Sequence, residues 1–145
     1  MVEYVVIHVP IMSDAILMIR KNRPDWQAGK LNFPGGHIEE GEQPDYAACR
    51  ELYEETGLTA HKVSEIGRIR SDTALVHVFT LFGRSGQACQ KTDEPLEIVR
   101  VVDLPFRSDL VDRNIILMCD LINSGMINWD IHHEKDRYRI EIPYK

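Results

Sequence analysis

The chain is sparing with several features that would fix a class at once. It has only 3 cysteines in 145 residues, Cys49, Cys89 and Cys119. Their number is odd and their spacing matches no metal-binding pattern, which argues against a disulfide framework or a zinc ribbon. We read all three as reduced thiols in an intracellular, cytoplasmic protein. No run of 18 apolar residues exists, so no membrane span is expected. Glu3, His8 and Asp14 interrupt any signal-peptide core in the first twenty positions. Basic residues form no long run and the net charge is −6, which makes long nucleic acid a poor partner. A mononucleotide needs only a local basic pocket and stays open. No internal repeat, low-complexity tract or linker is visible.

What is there is ordinary for one globular unit: 43% hydrophobic and 28% charged residues. The length corresponds to a single domain over residues 1–145 with room for a real core. Tyr4 to Val9 and Ala15 to Arg20 read as strands joined by a short loop. Residues 21 to 30 are polar and hold Pro24 and Gly29, hence a loop. Leu31 to Phe33 reads as a short strand stopped by Pro34-Gly35-Gly36. A helix is expected from Pro44-Asp45, with Gly57 as its C-cap and Ala48, Leu52 and Thr56 facing inward. Val63 to Arg70 and Thr73 to Phe82 read as a strand pair, and Gly83 to Glu94 as polar turns. Leu96 to Val102 is a further strand. Arg113 to Leu121 has helical spacing, stopped by Gly125. Tyr138 to Ile142 reads as a last edge strand.

The chemistry concentrates on the first helix. Glu51, Glu54 and Glu55 are related by i, i+3 and i+4, so they project within about 100° of one another. A solvated surface face is the plain reading of such glutamates. Three carboxylates so close repel, and a cation that neutralises them offsets the cost. An all-oxygen set favours a hard ion, Mg²⁺ or Mn²⁺, which in turn binds substrate phosphates.

The surrounding residues decide between these readings. Gly36, Glu42, Arg50, Glu51, Leu52, Glu54, Glu55, Gly57 and Leu58 fill every specified position of Gly-x5-Glu-x7-Arg-Glu-U-x-Glu-Glu-x-Gly-U, with U a bulky aliphatic residue. This stretch resembles the Nudix box, and Phe33-Pro34-Gly35 matches its usual lead-in. The box takes 23 of the 145 residues, and the family's single domain would take nearly the whole chain. The resemblance implies an α/β/α sandwich with a mixed sheet, the box helix on one face and the later helix on the other. It implies hydrolysis of a nucleoside diphosphate linked to another moiety, by water attack at phosphorus with Mg²⁺ as cofactor and Mn²⁺ as a substitute. Divalent ions would neutralise the phosphate oxygens and activate water, and a carboxylate would take the proton.

Residue by residue, the resemblance makes Glu51, Glu54, Glu55 and the Gly35 carbonyl metal ligands. Glu51 or a glutamate outside the box is the base. The outside candidates are Glu94 and Glu97, of which we favour Glu97 as ligand. Arg50 and Glu42 form a charge-assisted pair that braces the box loop. Arg20, Lys21 and Arg23 either contact phosphates or solvate the end of a strand. His37 reads as a loop residue, His132-His133 as surface, and Trp26 as a loop tryptophan or a base-stacking one.

Markers outside the box bear on substrate. Residues 59 to 80 hold no proline, so the NADH and ADP-ribose markers are missing. The dinucleoside-polyphosphate tyrosine is replaced by the run containing Leu75, Val76, His77 and Phe79. The coenzyme A pattern is met at Gly29 and Phe33 to Gly36, but Asp25 stands in place of its second arginine. What remains is similar to the MutT-like (d)NTP pyrophosphohydrolases, through Ile16 to Lys21, Lys30 to Gly36 and Arg113-Asn114-Ile115-Ile116. There Asn114 would read a purine edge, since an amide offers one acceptor and two donors. A plain helix N-cap is the other reading of Asn114. ADP-ribose or dinucleoside-polyphosphate hydrolysis stays as the alternative, and a nucleotide-sensing or protein-binding module as a further one. Retention of all box glutamates favours the enzyme. The partner is a small nucleotide, with no membrane, and the protein is a monomer or homodimer.

Overall fold

The computed structural model describes residues 1–135 and 137–142. Among them, β1 (Val2–His8), β5 (Gly35–His37), β6 (Thr59–Arg70), β7 (Ala74–Ser85), β9 (Trp129–Glu134) and β10 (Arg137–Glu141) form one sheet in the order β10-β9-β6-β7-β1-β5. The sheet is mixed: β1 runs parallel to β7 and β6 parallel to β9, and the other neighbours are antiparallel. A second sheet joins β2 (Pro10–Ile11), β3 (Ala15–Arg20) and β4 (Leu31–Asn32), with β8 (Leu96–Arg100) on the other edge of β3.

Strand alternation gives the large sheet two apolar faces. Val5 and Ile7 of β1 and Phe79 and Leu81 of β7 pack with Ala47, Ala48 and Leu52 of helix α1 (Pro44–Thr56). Val78 of β7 and Ile66 and Ile69 of β6 face the other way, onto Ile115, Met118 and Cys119 of helix α2 (Asn114–Asn123). One helix on each face of a mixed sheet is the sandwich expected from the box. β3 is buried on both sides, with Ile16 and Met18 in one cluster and Leu17 in the other, which explains its unbroken apolar run.

Helix α1 begins with Pro44 in its first turn and Asp45 beside the positive end of the helix dipole. It stops where Gly57 adopts φ 77°, its N–H donating to the Tyr53 carbonyl at 2.9 Å. No described helix is long and apolar enough to cross a membrane.

Several elements differ from the sequence reading. Gly35–His37 is a strand, not the end of a turn, because its backbone pairs with β1 at Val6↔Gly35 and Val5↔Gly36. β7 continues through Gly83 to Ser85 because β6 supplies partners as far back as Thr59. Trp129–Glu134, which carries no strong alternation, is a strand held between β6 and β10. Residues Val101–Phe106 turn into a 3-10 helix rather than extending β8. The last strand sits at the sheet edge, as its sequence suggested.

Candidate active site

The site is built where β5 meets α1. Gly35 lies so close to β1 that a Cβ there would stand 2.1 Å from the Val5 carbonyl oxygen. A Cβ on Gly36 would stand 2.5 Å from Glu51 Oε1. Two glycines are therefore required, the first for strand pairing and the second to let a carboxylate lie against the loop backbone.

Arg50 organises the acidic face. Its Nε and Nη2 donate to the two oxygens of Glu42 at 2.6 and 2.9 Å, a bidentate pair. Its Nη1 donates to Glu51 Oε1 at 3.0 Å and to Glu54 Oε2 at 3.2 Å, and its Nη2 also reaches the His37 carbonyl at 3.1 Å. The hydrogen bonds from Arg50 hold the Glu42 carboxyl down at about 2, and Glu42 in return raises the guanidinium. Glu42 also accepts the Glu39 N–H at 3.0 Å, which closes the loop.

The three box glutamates have different surroundings. Glu54 is 54% exposed at its side chain. Glu51 is mostly buried, and desolvation raises its pKa against the opposing pull of Arg50. Glu55 is only 6% exposed. Its carboxylate accepts the Gly35 N–H at 2.7 Å, yet burial pushes it up to about 8. A buried carboxylate with so little compensation seeks a cation or a proton.

Outside the box, the two candidate glutamates separate. Glu97, the favoured one, is engaged elsewhere: Arg20 Nε donates to its Oε2 at 2.5 Å, and Arg107 Nη2 lies 3.8 Å from its Oε1. Glu94 is 5% exposed and bears electrostatically on Glu55. Its Oε1 meets Lys21 Nζ at 3.1 Å and its Oε2 accepts the Asn22 N–H at 2.5 Å. Of the two, Glu94 is the one whose charge bears on a box carboxylate, while Glu97 is held by Arg20. No local signal distinguished them, because their environments depend on contacts more than 70 residues away in the chain.

The three basic candidates also diverge. Arg20 is tied into a network with Glu97, Asp109 and the Gly29 carbonyl. Arg23 points outward and pairs with Asp93. Lys21 is the one whose charge reaches Glu55. His37 is exposed on β5, its ring centroid 4.5 Å from that of Tyr4. Trp26 is exposed in the loop, and His132 and His133 are partly covered on β9.

Asn114 occupies the first turn of α2 and is 7% exposed. It is not the N-cap: Arg113 holds that position, and the Asn114 backbone N–H donates to Asp112 Oδ1 at 2.9 Å. The Asn114 carboxamide makes no hydrogen bond with any described residue.

The oxygen-only donors of Glu51, Glu54, Glu55 and Glu94, with the Gly36 cradle and the under-compensated Glu55, fit a hard divalent ion. Among the described residues they are not drawn together as a finished cluster of three. Arg50 draws Glu51 and Glu54 to itself, and Lys21 draws Glu94.

Known proteins are similar to this chain in sequence and in fold. The NUDIX domain model matches residues 2–116. The 8-oxo-dGTP diphosphatase of Escherichia coli (strain K12) is 34% identical over 96 residues, covering 63% of this chain and 74% of that protein. The ADP-ribose pyrophosphatase of Bacillus subtilis (strain 168) is 38% identical over 68 residues, 44% of this chain. The match spans 37% of that relative's length. The MutT mutator protein of Bacillus halodurans superposes with a TM-score of 0.76 at 20% identity, over 97% of this chain and 98% of that one, a likeness of fold.

Proposed function

The chain belongs to the Nudix family, and from that premise we propose that it hydrolyses a (d)NTP to the (d)NMP and pyrophosphate. Nudix hydrolases generally use divalent metal ions and act on small nucleotide substrates. The observation that carries the reading is the buried Glu55 carboxylate on the Gly35 N–H, with Glu94 from outside the box bearing on it electrostatically. Glu51, Glu54, Glu55, Glu94 and the Gly35 carbonyl would hold Mg²⁺ or Mn²⁺. When bound, such ions supply charge neutralisation at the phosphate oxygens and acidify water.

The chain's own residues do the rest. Arg50 fixes the Glu51 carboxylate through Oε1, and Oε2 accepts no hydrogen bond from a described residue. Glu51 is the proton acceptor, since burial raises its basicity toward the working range of a general base. Glu42 holds Arg50 in place, so the loop and the helix keep one geometry. Lys21 supplies positive charge beside the carboxylates for an anionic substrate.

Asn114 supports a purine base in the substrate. A nearly buried carboxamide that bonds to no described residue offers an acceptor and two donors, as a purine edge requires. The 8-oxo-dGTP diphosphatase relative favours the triphosphate, whereas the Bacillus subtilis relative favours ADP-ribose as the second reading.

The test is a panel of nucleoside triphosphates, ADP-ribose and dinucleoside polyphosphates, with and without Mg²⁺, in ¹⁸O-labelled water. The expected result is metal-dependent release of monophosphate and pyrophosphate, with the label locating the attacked phosphorus. Orthophosphate plus diphosphate would count against the reaction, and cleavage of ADP-ribose alone would install the second reading.

A further inference from the structure

Three cations cluster where β3 runs into the following loop, and two of them are fully committed. Arg20 makes bonds to Glu97, Asp109 and the Gly29 carbonyl. Arg23 is two-thirds exposed and paired with Asp93. Lys21 differs. Its side chain is 16% exposed, and among the described residues its one acidic partner is Glu94, itself 6% exposed at the side chain.

Each oxygen of Glu94 already accepts one hydrogen bond. Oε2 is taken by the Asn22 N–H at 2.5 Å. Oε1 faces the Lys21 ammonium at 3.1 Å. A hard divalent ion needs a carboxylate oxygen at about 2.0–2.1 Å, closer than the ammonium stands. The oxygen has a second lone pair, but two cations gathered on one buried carboxylate repel each other, so the ammonium and the ion oppose one another there. An ammonium on a flexible four-carbon stem can leave without disturbing the backbone, as a forked guanidinium locked by several bonds cannot. Lys21 and Glu94 also both bear electrostatically on Glu55.

We propose that Lys21 competes internally with the divalent ion for Glu94, and that its displaced ammonium moves to a substrate phosphate. Ion binding and phosphate binding are thereby coupled through one side chain. This rests on the reading of Glu94 as a ligand. Coupling of this kind is reciprocal: whatever a phosphate does to the ion's affinity, the ion does to the phosphate's. A lysine serving only to pin the loop to residue 94 would stabilise the fold without touching that coupling.

The experiment measures Mn²⁺ binding, by calorimetry and by the paramagnetic signal of the free ion, with and without imidodiphosphate as a non-hydrolysable diphosphate. Wild type, Lys21→Gln, Lys21→Arg and Glu94→Gln are compared, with melting curves as a check on folding. In wild type, imidodiphosphate should tighten Mn²⁺ binding roughly tenfold. Lys21→Gln should bind Mn²⁺ alone several-fold tighter than wild type and lose most of the tightening. Lys21→Arg, which keeps the charge, should not show the tighter Mn²⁺ binding. If Glu94→Gln weakens Mn²⁺ binding but Lys21→Gln does not strengthen it, competition is overturned while Glu94 remains a ligand. Tighter Mn²⁺ in Lys21→Gln with intact coupling overturns the transfer to phosphate. Unchanged Mn²⁺ affinity in Glu94→Gln removes the ligand reading itself.

Discussion

Replacing Glu55 by glutamine should make the chelated protein more stable while abolishing its turnover. Glu55 is 6% exposed and its carboxyl is pushed up to about 8, first by burial. An acid whose folded pKa is raised loses native stability as pH rises above its unfolded value and stops losing it above the folded value. The window here runs from about pH 4.5 to about pH 8. Each unit in it is worth ~1.4 kcal/mol, so at pH 7 burial of this group costs on the order of 3 kcal/mol. Glutamine keeps an oxygen for the Gly35 N–H and removes the titration, although its new amide N–H must find a partner, which makes that figure an upper one. For a chain of this size the gain corresponds to a melting point higher by about 5–10 °C. Melting both proteins in chelator at pH 5, 7 and 8.5 gives the difference curve: near zero at pH 5, growing with pH, level above 8. Adding Mg²⁺ should stabilise wild type far more than the mutant. A mutant that melts below wild type across this whole range in chelator would refute the reasoning.

Four other outcomes follow from the same geometry. Glu54→Gln should lower turnover by orders of magnitude at saturating Mg²⁺ while leaving the chelated melting point unchanged or slightly raised, since Glu54 is half exposed and its loss relieves repulsion; comparable turnover would remove it from the metal site. Arg50→Lys should cut turnover at least tenfold, because an ammonium cannot span Glu42, Glu51 and the His37 carbonyl together, and amide exchange across residues 37–42 should quicken. Asn114→Ala should raise KM for the preferred nucleotide by an amount equivalent to about 1–3 kcal/mol with little change in kcat; an unchanged purine-to-pyrimidine preference would deny it a role in base reading. His8 is buried and desolvation lowers it to about 4, so it is neutral at pH 7. Below pH 6.5 the unfolded chain takes the proton first and native stability falls until about pH 4, a loss that His8→Gln should remove from the acid-side urea titration.

The box helix was legible from sequence because everything that makes it is local. Pro44, Asp45 and Gly57 set its ends, Ala48 and Leu52 its buried stripe, and Arg50 with Glu42 its brace, all within one short stretch. β3 was legible for a similar reason, since its continuous apolar run reports burial directly. β5 and β9 were not. Gly35–His37 has no strand propensity and becomes one because β1 accepts its backbone. Trp129–Glu134 is drawn into the sheet beside β6, where Gly67 makes room for the indole: a Cβ there would stand 2.3 Å from the Trp129 ring.

The site divides along the same line. The sequence by itself determined the carboxylates on α1, because helical spacing alone puts them on one side. Only the tertiary structure decided which partners the residues outside the box would take. Arg20 and Lys21 are chain neighbours, yet one is held by Glu97 and the other by Glu94. That choice was made by strand register between β3 and β8, where Met18 pairs with Glu97 and Ile19 with Leu96. Register is a property of two segments packed together, and neither carries it alone.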